Sequence, residues 1–138
     1  MRSYYHATFK DRLPSIRAHG LGGDPTAEAN FDCAPGVYLA YSPVLAYGIL
    51  LDDLLHGRLP PWLDPEKVGP AEYAESIVVI AVPGSRLRRD LLETDPQIKC
   101  VGFWRYLGVV PAADLPVLDV DAVAPDSVPK PAILMPAG

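Results

Sequence analysis

The stretch that most limits what this chain can become is Ser76-Ile77-Val78-Val79-Ile80-Ala81-Val82. Its apolar, largely β-branched side chains fall on both faces of any strand it forms, because successive side chains alternate. Such a strand needs cover above and below, as the central strand of a sheet does. Sixteen prolines among 138 residues then restrict everything around it. They fall mainly between periodic segments, which predicts short elements in a loop-rich domain.

The length suits one domain, since domains run to roughly 100–200 residues. Residues 1–124 read as that domain, and 125–138 as a proline-rich tail extended along the surface. With 49% hydrophobic and 21% charged residues, the composition favours a packed core over disorder. A formal charge of −5 leaves no general footprint for polyanions. The local run Arg86-Leu87-Arg88-Arg89 is a contact patch or, more simply, a solvated turn. Cys33 and Cys100 have neither metal-ligand spacing nor a disulfide framework around them. No secretion signal opens the chain, and no apolar run reaches the ~20 residues of a membrane span, so the expected location is the cytoplasm.

Ser3-Tyr4-Tyr5-His6-Ala7-Thr8 reads as a first strand that places His6 and Thr8 on one face, at the end of a sheet. Asp11 is the expected N-cap of a short helix with Leu13, Ile16 and Leu21 along its apolar edge and Gly20 as its stop. Residues 22–35 read as a long loop suited to covering a ligand. Val37 to Tyr41 is a second strand, with Tyr38 on one face and Val37, Leu39 and Tyr41 on the other. Ser42-Pro43 starts a helix whose Val44, Tyr47, Leu51, Leu54 and Leu55 face the sheet, and Gly57 ends it. Residues 59–69 form an excursion without regular structure, anchored by Trp62. Leu87, Leu91 and Leu92 suggest a brief amphipathic turn, 98–110 a strand or strand pair broken near Gly108, and 117–123 a last strand. The sum is a small α+β domain with a split β-sheet and two short helices inserted early. No Gly-x-Gly-x-x-Gly follows a strand, which excludes a dinucleotide fold of the βαβ type.

Several stretches together resemble a known family. They are Tyr5-His6-Ala7-Thr8, Leu13-Pro14-Ser15-Ile16, His19-Gly20-Leu21, Gly36-Val37-Tyr38-Leu39-Ala40 and Trp104-Arg105-Tyr106-Leu107-Gly108-Val109-Val110-Pro111. In order and spacing they are similar to the small ADP-ribosyltransferase-like domains of the His-Tyr-Glu class, many of them toxin domains. The likeness covers about residues 3 to 115. It implies a glycosyltransferase that binds NAD as substrate and moves ADP-ribose to an acceptor or to water, with no metal. By resemblance, His6 holds ribose hydroxyls with Thr8 assisting, the backbone of Ala7 meets the nicotinamide carboxamide, and Tyr38 stacks on the nicotinamide ring. His6 and Tyr38 are thereby expected to line one cleft.

The family's third position, usually a glutamate, bonds the ribose 2′-hydroxyl and stabilises developing positive charge. The alignment puts Phe103 near it; Gln97 is the preferred substitute and Glu93 a second one. A domain without that group would instead be a binding module for NAD-like nucleotides or for a protein. The related tRNA 2′-phosphotransferases depend on arginines, and Arg12, Arg17, Arg86 and Arg105 are present here. The acidic balance argues against RNA, so the acceptor is expected to be a protein or small molecule.

Overall fold

The computed structural model describes residues 2–24, 36–96 and 102–119. Among them the strands are β1 (Ser3–Phe9), β2 (Val37–Ala40), β3 (Ile77–Pro83), β4 (Leu92–Thr94), β5 (Phe103–Tyr106) and β6 (Val117–Asp119). The helices are α1 (Leu13–His19), α2 (Pro43–Leu55) and the single turn α3 (Pro70–Tyr73). The strands make one sheet in the order β4-β5-β2-β1-β3-β6, and every pairing is antiparallel. No helix among the described residues is long and apolar enough to cross a membrane.

The two-sided apolar run behaves as its composition requires. Ile77, Val78, Val79, Ile80 and Val82 are all buried. Ile77 and Val79 enter one core with Phe9, Ala40 and the α2 side chains Ala46, Tyr47, Leu50, Leu51 and Leu54. Ile80 and Val82 enter a second core on the other face with Leu21, Val37, Leu39, Tyr106 and Val110, flanked by Leu13 and Ile16 of α1. Each such side chain contributes about 1.5–3 kcal/mol by leaving water.

The helix starts differ in how they are capped. Ser42 Oγ accepts from the Leu45 N–H at 3.1 Å, with Pro43 at the first helical position. Leu55 is 51% exposed, so it lies outside the buried face that its spacing suggested. Asp11 is not an N-cap: α1 follows a 3-10 turn over Lys10–Arg12, and Arg12 precedes it without a side-chain cap. The Asp11 carboxylate instead accepts from the Tyr73 hydroxyl at 2.8 Å, and that hydroxyl accepts from Trp62 Nε1–H at 2.8 Å. Phe9 stacks on Tyr73 with centroids 4.6 Å apart, and the Arg12 guanidinium lies 4.3 Å from the Trp62 ring centroid. Trp62 is thus the anchor of the 59–69 excursion. Gly20, at φ +82°, ends α1, and a Cβ there would stand 2.6 Å from the Val110 carbonyl oxygen.

Other expectations need correction. The region of Leu87, Leu91 and Leu92 holds two 3-10 turns and then β4, not one amphipathic turn. Tyr106 O–H, accepting from the Arg88 N–H at 3.0 Å, and the Leu107 N–H to the Leu91 carbonyl at 2.9 Å help set the chain there. The late strand is confined to Phe103–Tyr106 among the described residues, because the chain turns at Leu107 to form the Leu21↔Val110 bridge. Of the 22–35 loop, residues 25–35 lie outside the described residues, as do Cys33, Cys100, Gln97 and the tail 125–138.

Candidate functional site

The sheet has a seam. β1 pairs with β3 along its whole length, from Ser3↔Pro83 to Phe9↔Ile77. On its other side, β1 meets β2 in register at Tyr5↔Ala40 alone among the described residues. β2 then pairs fully with β5, from Val37↔Tyr106 to Ala40↔Phe103. At this seam the His6 ring reaches sideways, and its Nδ1 lies 2.9 Å from the Tyr38 carbonyl oxygen. A carbonyl only accepts, so Nδ1 carries the hydrogen and donates. Burial pulls the His6 pKa below its ordinary value, outweighing the opposing effect of that backbone bond. The imidazole is therefore neutral near pH 7, with Nε2 left as a hydrogen-bond acceptor.

Register decides which expected site residues meet. His6 lies opposite Ile80, and Thr8 opposite Val78, on the face of the second core, as their spacing predicted. Thr8, however, is 2% exposed, so its hydroxyl sits in the core and does not front a ligand beside His6. Ala7 lies opposite Val79 on the other face and is half-buried. Tyr38 lies opposite Arg105, on the face that carries Ala40 and Phe103. The expectation that the His6 and Tyr38 side chains line one cleft therefore needs correction: strand alternation sends them to opposite faces of the sheet. What joins them is the bond from the His6 ring to the Tyr38 backbone across the seam.

A polar row that sequence reading missed runs along Tyr38's face. Arg105 stands opposite Tyr38 on β2 and opposite Glu93 on β4. Its Nε–H and Nη2–H both reach Glu93 Oε2, at 3.2 and 2.7 Å. The Glu93 hydrogen bond is the largest cause of the raised Arg105 pKa, and Tyr38, directly opposite on the same face, adds to it. Arg105 is 18% exposed and Glu93 42%. Gly36, at φ +142°, makes room for the arginine stem: a Cβ there would stand 2.6 Å from Arg105 Cγ. Residues 93 and 105 are twelve positions apart, and only the β4–β5 register, which the sequence does not print, brings them together.

Phe103, at the aligned third position, packs against the first core with its ring 6.3 Å from Tyr41. Gln97 lies outside the described residues. Arg12, Arg17 and Arg86 are engaged elsewhere: Arg12 over Trp62, Arg17 with the Ala113 carbonyl at 3.0 Å, and Arg86 with Asp114 at 2.8 Å. Among the described residues no three of His, Cys, Asp and Glu group as a metal site. Comparisons with protein-family models, with curated proteins and with solved structures found no match.

Proposed function

We propose that this chain is an NAD-binding domain of the ADP-ribosyltransferase type, which cleaves NAD at its nicotinamide–ribose bond. The observation that carries the reading is the neutral, tautomer-fixed His6 at the seam. A ribose hydroxyl is a donor that suits an accepting Nε2, whereas an imidazolium would call for an anion. In the reaction the C1′–N bond breaks with its electron pair going to the pyridinium nitrogen, which leaves as neutral nicotinamide. An acceptor or water then adds its oxygen lone pair to C1′ and loses a proton. The −5 charge favours a protein or small-molecule acceptor over nucleic acid.

One observation favours a second reading, binding without transfer. Phe103 packs on Tyr38's face where the alignment asks for a polar group. Calorimetric titration with NAD, together with chromatographic detection of nicotinamide, separates the two. Binding with slow release is the expected result. Binding without release supports the second reading, and absence of binding overturns both.

A further inference from the structure

On the face of the sheet that carries His6, one arginine is held by aromatic rings and not by a carboxylate. Tyr4 lies opposite Val82 as His6 lies opposite Ile80, and both partners belong to the second core. Trp104 of β5 lies opposite Leu39, which belongs to the same core. The Tyr4 and Trp104 rings meet edge to face with centroids 4.8 Å apart, and both residues are half-buried. Over this pair lies the guanidinium of the exposed Arg2, its Cζ 5.9 Å from the Tyr4 centroid and 5.3 Å from that of Trp104. The Arg2 carbonyl accepts from the Gly84 N–H at 2.9 Å, which ties its backbone to the end of β3. Arg58, Arg86, Arg88 and Arg105 each hold a carboxylate, whereas Arg2 makes no ion pair among the described residues.

We propose that Arg2 is the anion-binding residue of this face and meets the pyrophosphate of the dinucleotide whose ribose His6 holds. The inference rests on the NAD reading. An aromatic face attracts a guanidinium through its quadrupole but does not neutralise it. The planar fork of N–H donors is thereby left to an anion, and it matches two phosphate oxygens at once. Residues two apart on one face of a strand are about 7 Å apart, so a cation over Tyr4 stands about one such step from His6. That is the scale of the reach from a ribose hydroxyl to the phosphate on the same sugar. Two rings also hold the guanidinium before the ligand arrives, which lowers the ordering cost of binding. In a chain of net charge −5, such a local cation is what an anionic substrate needs.

The test is calorimetric titration of wild type and Arg2→Gln with NAD, at low salt and at about 1 M sodium chloride, where the screening length falls to about 3 Å. At low salt the variant should bind about tenfold more weakly, the scale of one charge-assisted hydrogen bond. At high salt the gap between the two proteins should narrow. Comparing them at each salt separates Arg2 from the repulsion of the remaining charge. A variant that binds as tightly as wild type at low salt overturns the inference and leaves the NAD reading standing. A gap of the same size at both salts also overturns it, because Arg2 would then act through packing and not through charge. A wild-type protein that does not bind NAD overturns the NAD reading and this inference together.

Discussion

The two halves of the sheet are built on different terms. β1, β3 and β6 share an unbroken ladder, and β3 fills both cores with Val and Ile side chains. β2, β5 and β4 are also laddered to one another, yet across them runs the row Tyr38, Arg105 and Glu93. The first half is held by burial, which is non-directional and tolerates no gap. The second adds hydrogen bonds that fix where particular side chains point. Residues that stabilise and residues that orient are thereby separated across one seam, with His6 as the side chain that reaches over it.

The largest expected effect tests that division directly. Ile80→Ala, at a position 1% exposed, should cost about 2–5 kcal/mol in denaturant unfolding. Tyr38→Ala, at a half-buried position of the other half, should cost the fold less. If both substitutions destabilise the protein equally, the halves do not differ as described.

Gly36→Ala comes next. It forces a side chain at φ +142° against the Arg105 stem, and strain of that kind costs about 1–3 kcal/mol. Its melting temperature should fall. An unchanged melting temperature would show that the backbone relaxes there without loss.

Tyr73→Phe probes the cover of the continuous half. It removes one acceptor from Trp62 and one donor from Asp11, a loss of about 1 kcal/mol measurable by urea unfolding. Burial, first among its causes, pushes the Tyr73 pKa up to about 12. Folding therefore favours the neutral phenol. The contribution is present below pH ~10, the unfolded value, and is lost as pH rises towards 12. The phenylalanine variant should lack that alkaline slope.

The smallest effect concerns the seam. The folded pKa of His6 lies below its unfolded value of about 6.5, so the unfolded chain binds more protons in the interval between them. The stability this provides is complete above pH ~6.5 and is lost as pH falls through the folded value. His6→Asn, which keeps a donor near the Tyr38 carbonyl, should flatten the slope of stability below about pH 6.5. Identical slopes in the two proteins would mean that His6 is not the desolvated group.

Much of the fold could be read in advance because it rests on local signals. The alternation of residues 3–8, the two-sided run at 76–82 and the Ser42-Pro43 start each state their structure within a few positions. The α+β class and the presence of a sheet with helices followed from those. The seam was harder, since a strand does not announce which neighbour it pairs with, or for how long. His6 and Tyr38 were each singled out correctly as residues of their strands, but their faces depend on the Tyr5↔Ala40 register. Thr8 shares its face with His6 as alternation requires, while its burial depends on what packs above it. The row through Arg105 is the extreme case: three residues from three strands, joined by pairings that leave no local trace.

A chain with a run as β-prone as Ile77–Val82 also carries a hazard, because an unpaired strand edge recruits copies of itself. The seven-residue strands, β1 and β3, lie in the interior of the sheet. Among the described residues the outermost strands, β4 and β6, are three residues each. Among the described residues the sheet thus tapers from a long middle to short margins, which leaves few open backbone groups at its edges. Its adhesive sequence is spent inside, where neighbours of the same chain already occupy both sides.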